Sequence, residues 1–87
     1  MKYRSRTDIV GLILDAANGG GATKTKIMYK AFLSFGQLKE YLSMLLENGL
    51  IEHEEGTQFF KATEKGIQLL QVYNQFGEMM TINKNAE

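Results

Sequence analysis

Two groups of side chains in this sequence have usable chemistry. The first is a set of cations near the start, Arg4, Arg6, Lys24, Lys26 and Lys30; the second is Phe35, Gln37, Lys39 and Ser43. Cations in that number suit a polyanion, because each one that neutralises a phosphate releases a condensed counterion. The second group adds hydrogen-bonding ends: Gln37 could address adenine, Lys39 guanine or a phosphate, and Ser43 either kind of partner. Glu40 stands among them, able to accept from cytosine or to repel a phosphate backbone. One Lys and one Gln read little sequence, so contacts to the backbone are expected to outweigh recognition of bases. Gln37 also has a purely structural use as a helix-capping residue.

The elements that must position these groups lie between Thr23 and Ile51. Ser34 followed by Gln37 has the spacing of a capping box, so a helix is expected from Phe35. Leu38, Leu42 and Leu45 then repeat at helical spacing with Tyr41 and Leu46 beside them, while Glu40, Ser43 and Glu47 fall opposite. Asn48 and Gly49 supply a left-handed stop. Upstream, Thr23 or Thr25 can cap a short helix that packs through Ile27, Met28, Ala31 and Phe32 and ends near Phe32 or Leu33. Most of Tyr29, Phe32, Phe35 and Tyr41 are assigned to the core or its rim.

Around this pair, Ser5 and Asp8 cap a first helix whose apolar face is Ile9, Val10, Leu12, Ile13, Ala16 and Ala17. Asn18 and Gly19 end it, and Gly19 to Gly21 form a loop. Residues 50–53 and 58–62 are extended candidates about a turn at Glu54, Glu55, Gly56 and Thr57. Thr63 caps a fourth helix to about Ile82, and the tail from Asn83 is expected to fray. That last helix is apolar on two arcs. Ile67, Leu70, Tyr73 or Asn74, Gly77 and Met80 follow an approximate three-and-four alternation, and Leu69, Val72, Phe76 and Met79 widen it. A second copy of the helix would cover the surplus, with a small-ligand cleft as the weaker alternative.

Composition narrows the function classes. The chain has 87 residues, no cysteine and one histidine, so it is a single small domain without a thiolate zinc site or disulfides, and His53 alone cannot hold a metal. Net charge is zero, yet residues 1–39 carry seven cations against two carboxylates and the remainder three against eight. That asymmetry suggests a front facing a polyanion. No apolar run approaches the roughly 20 residues of a membrane span. No phosphate-binding loop or catalytic triad is present in the motifs, so no enzymatic activity and no cofactor are expected.

Three helices, a hairpin and a final helix are the order of a winged helix-turn-helix domain, mainly α with a small β-hairpin. The stretch KTKIMYKAFLS, then QLKEYL, GLI and TEKG, resembles the archaeal winged helix-turn-helix family of small DNA-binding proteins, including its ten-kilodalton chromatin-associated members. The resemblance spans roughly Arg4 to Tyr73. It implies double-stranded DNA as partner, the helix over 35–48 in the major groove, a homodimer through the C-terminal helix, and a cytoplasmic, nucleoid-associated protein. The expected organisation is a winged domain over 1–62, a dimerisation helix over 63–82 and a tail over 83–87. The DNA-binding set is then Arg4, Arg6, Lys24, Lys26, Lys30, Phe35, Gln37, Lys39 and Ser43, and the dimer set Ile67, Leu70, Tyr73, Phe76, Gly77 and Met80. Two features depart from the family: the last helix is shorter than a long antiparallel coiled coil, and the wing tip bears Glu54 and Glu55 but no cation. A winged module that binds a protein partner without touching DNA is the competing expectation.

Overall fold

A computed structural model describes the backbone of residues 5–86 and the side chains of residues 5–75. Four helices and a hairpin follow in the order α1 (Arg6–Ala17), α2 (Lys24–Ala31), α3 (Phe35–Glu47), β1 (Ile51–His53), β2 (Phe60–Ala62) and α4 (Glu64–Ala86). Each start is set by a side chain that accepts from a free backbone N–H. Ser5 and Asp8 form a reciprocal capping box on α1, Thr23 accepts from the Lys26 amide on α2, and Ser34 and Gln37 close the box on α3. Thr63, through its hydroxyl, accepts from the Gly66 amide at the start of α4.

Two helix ends share one geometry. At the end of α3 the Gly49 amide donates to the Leu46 carbonyl and the Leu50 amide to the Leu45 carbonyl, with Gly49 at φ 70°. At the end of α2 the Phe32 amide donates to Tyr29 and the Leu33 amide to Met28, with Phe32 at φ 55° and ψ 51°. Both are Schellman corners, in which one left-handed residue returns two amides to the last turn. Glycine adopts that conformation freely, whereas a bulky residue is strained there by about 1–2 kcal/mol.

The core is a single cluster. Ile13, Leu14, Ile27, Leu38, Leu45 and Ile51 are its largest fully buried side chains, and each such burial contributes about 1.5–3 kcal/mol. Leu70 of α4 belongs to the same cluster at 4% exposure. Gly66 is buried where α4 passes Leu50, and a Cβ there would collide with the Leu50 carbonyl oxygen. The start of α4 also takes up the carbonyls at the end of α3: the Thr63 hydroxyl donates to Gly49 at 2.6 Å, the Thr63 amide to Leu50 at 3.0 Å and the Lys65 ammonium to Asn48 at 2.9 Å. Farther along, Tyr73 lies on Gly11 of α1 and donates to the Asp8 carboxylate at 3.0 Å. Burial, then that hydrogen bond, then the neighbouring charge push the Tyr73 hydroxyl above its ordinary pKa.

β2 lies between two partners. Ile51, Glu52 and His53 pair antiparallel with Ala62, Lys61 and Phe60. On the other edge Ala22, which follows the expected Gly19–Gly21 loop, exchanges both backbone hydrogen bonds with Phe60 at 2.9 and 2.8 Å. Gly21 permits this clasp, since it has φ 91° and a Cβ would meet the Phe60 carbonyl oxygen at 3.0 Å. The strands are shorter than the sequence suggests, because Leu50 is held in the α3 corner and Gln58 and Phe59 belong to the turn at the wing tip. The last helix is longer: it continues past Ile82 to Ala86, where a frayed tail was expected, since neither Gly nor Pro follows Gly77 to stop it.

Candidate nucleic-acid interface

A groove of about 670 Å³ runs between the outer side of α3 and the wing, with the start of α2 closing one end. Lys24 and Thr25 stand at that end, Phe35 and Leu46 on the α3 wall, and His53, Gln58 and Phe60 on the wing wall. A smaller depression beside it brings Lys24 together with Lys39 and Ser43. The Lys24 ammonium lies 6.0 Å from the centre of the Phe60 ring and that of Lys39 lies 5.8 Å from the centre of Phe35. Aromatic walls of this kind orient an ammonium while leaving its hydrogens for an anion.

The first turn of α2 positions Lys24 because Thr23 caps the helix there and Ala22 is clasped to Phe60. Phe35, Lys39, Ser43 and Leu46 share one wall because three- and four-residue spacings place them along one side of α3. Lys26 and Lys30 are exposed on the outer side of α2. Of the predicted contact residues, therefore, Lys24 lines both the groove and the adjoining depression, Phe35 lines the groove and Lys39 and Ser43 the depression, while Lys26 and Lys30 extend the positive surface outward. Ala16 to Lys39 contains four lysines and no carboxylate.

Other predicted residues lie elsewhere. Arg6 sits with its guanidinium 5.4 Å from the centre of the Tyr41 ring and borders a separate, mostly apolar depression between α1, α3 and α4. Arg4 lies outside the described residues. Gln37 uses its side-chain oxygen to accept from the Ser34 amide at 3.0 Å, so the cap turns that side chain back onto the start of its own helix. Directly opposite the core, α3 presents Gly36, Glu40 and Glu47, all exposed. The expected burial of Tyr29, Phe32 and Phe35 is overturned: they are 72%, 75% and 61% exposed, while Ile27, Ala31, Leu33 and Leu38 are the side chains of this stretch that the core takes.

The dimer set also needs correction. Leu70 is buried in the chain's own core and Tyr73 is engaged with Gly11 and Asp8, so neither is free for a second copy. Ile67 is half-buried. The side chains of Phe76, Gly77 and Met80 lie outside the described residues. Among the described residues, the large apolar side chains that α4 exposes are Leu69 and Val72.

Sequence reasoning left His53, Gln58 and Phe60 out of the groove. Their signal was the alternation in β1, which buries Ile51 and turns its neighbours outward, together with the nonlocal clasp that no local pattern reveals. It also treated the wing carboxylates as unopposed, whereas Lys61 pairs with Glu54 at 3.3 Å. Among the described residues no helix is long and apolar enough to cross a membrane.

Comparison with known proteins adds three findings. A family model described as winged helix-turn-helix matches residues 3–81. An uncharacterized protein of Methanocaldococcus jannaschii is 31% identical over 77 residues, covering 88% of this chain and 77% of its own length. The crystal structure of Sso10a-2, a DNA-binding protein from Sulfolobus solfataricus, superposes with a TM-score of 0.77 at 23% identity, covering 95% of this chain and 88% of that one. With both archaeal proteins sharing its pattern and the family model spanning nearly all of it, this chain belongs to the winged helix-turn-helix family.

Proposed function

We propose that the chain is a homodimeric DNA-binding protein, a transcription regulator or chromatin-associated factor, that seats α3 in the major groove and holds the duplex mainly by its phosphates. The observation that carries this reading is the convergence of Lys24 and Lys39 on the depression beside the groove, at the edge of a stretch whose only charges are positive. The fold shared with a DNA-binding protein supports it. Backbone contact is favoured over base reading because Gln37 is occupied by its cap and the face opposite the core carries Glu40 and Glu47. The second copy is held by the outer arc of α4, where Leu69 and Val72 are exposed and the sequence continues the spacing with Phe76 and Met79.

The test is affinity for random duplexes across a salt series. With Lys24, Lys26, Lys30 and Lys39 on phosphates, log affinity falls against log salt with a slope of about −3 to −4 per protomer. Alanine at Lys24, Lys26 and Lys30 weakens every sequence alike and flattens that slope by about 3. Binding that is absent, or indifferent to salt, rejects the proposal and favours a protein-binding module, for which the outward Glu40 and Glu47 speak. For the dimer, Leu69→Glu with Val72→Glu yields the monomer mass by light scattering, and an undiminished mass rejects the α4 interface.

A further inference from the structure

Three aromatic rings surround the corner between α2 and α3, and the packing of the domain uses none of them fully. Tyr29 is 72% exposed on the last turn of α2, Phe32 75% at the left-handed corner, and Phe35 61% at the first position of α3. The Gly49 corner makes the same two hydrogen bonds without strain and without exposing a ring. At Phe32 the chain combines a disfavoured backbone conformation with a large and mostly exposed apolar side chain, a combination that points to a surface used in binding.

The surrounding charge specifies the partner. Lys26 and Lys30 flank Tyr29 on the outer side of α2, and the Lys39 ammonium lies over the Phe35 ring. The carboxylate next along α3, Glu40, lies about 100° around the helix from Lys39, toward the side opposite the core. A partner must therefore offer flat apolar faces and regularly spaced negative charge together. Duplex DNA hides its base faces inside the stack and offers only their edges. A strand with unpaired bases presents both, because each base has a free face and each linkage a phosphate.

We propose that Tyr29, Phe32 and Phe35 form a stacking platform for the unpaired bases of a nucleic-acid strand, with Lys26, Lys30 and Lys39 on its phosphates. This rests on the reading of these lysines as phosphate contacts and adds a second bound form, reached at the corner rather than in the groove beside the wing. Phe35 borders both.

The experiment compares fluorescence anisotropy of labelled oligothymidylate of about 20 nucleotides, oligouridylate of the same length and a duplex of the same length, using the full chain at one salt concentration. Tyr29→Ala and Phe32→Gly each weaken single-strand binding about tenfold, while duplex affinity stays within about twofold and the salt slope is unchanged because no charge is removed. Tyr29→Phe keeps a ring and retains single-strand affinity. Phe32→Gly preserves the corner, so its loss of binding is not a loss of fold. Equal weakening of thymidylate and uridylate shows that the ring faces, and not the sugar, are read. The platform is overturned if both variants bind the single strand like wild type, or if they lose duplex affinity equally. It is also overturned if they change the mass in light scattering with strand affinity intact, which would assign the rings to a protein contact. Duplex binding without single-strand binding rejects the platform alone; absence of both rejects the DNA-binding reading as well.

Discussion

The ends of α2 and α3 are the same corner built twice, with opposite surroundings. Each closes with two amides returned to the last turn around one left-handed residue. At Gly49 the corner is joined: Thr63 and Lys65 occupy the carbonyls of Gly49, Leu50 and Asn48, and α4 lies close against Leu50. At Phe32 the corner leads at once into the Ser34 cap and surrounds itself with exposed rings and lysines. The same backbone geometry is thus built into the architecture in one place and, in the proposal above, carries a partner surface in the other. The residue at the left-handed position marks the difference, since glycine minimises strain and phenylalanine accepts it.

The contrast is most sharply tested where the joined corner is tightest. Gly66→Ala forces a Cβ onto the Leu50 carbonyl, and because backbone must move rather than a side-chain tip, it destabilises the domain by about 2–3 kcal/mol, read as a lower denaturant midpoint. A shift near zero would show that α4 is only loosely docked. Gly49→Ala meets no neighbouring atom, so its loss is the left-handed strain alone, about 1 kcal/mol. Phe32→Gly has the opposite sign. Relief of strain outweighs the added freedom of the unfolded chain and gives a gain of about 0.5 kcal/mol in the same measurement. If Phe32→Gly instead destabilised as much as Gly49→Ala, the Phe32 ring would belong to the fold and the two corners would not differ in purpose.

Features set within a few residues were legible in the sequence. Ser5 with Asp8, Ser34 with Gln37, and the Asn–Gly stops after α1 and α3 act where they sit, because a cap satisfies amides of its own first turn. Choices between adjacent arcs were not. Leu69 and Leu70 are equally apolar and about 100° apart, so periodicity alone could not say which one the core would take. The aromatic spacing at Tyr29, Phe32 and Phe35 read as packing for the same reason: apolar pattern identifies a face but not what lies across from it. In the candidate site, Lys24 and Lys39 were identifiable as cations, but their meeting beside Phe60 depends on a contact between distant parts of the chain.

That contact has a kinetic side. The pair of hydrogen bonds between Ala22 and Phe60 closes a loop containing α2, α3 and β1, and loop-closure entropy opposes it until those elements are in place. The helices can form from local contacts on their own timescale, whereas the wing locks onto the domain only when this long-range pairing is made. Native-state hydrogen exchange would register the consequence as shared protection of the Ala22 and Phe60 amides, which open only when the wing and the start of α2 separate together.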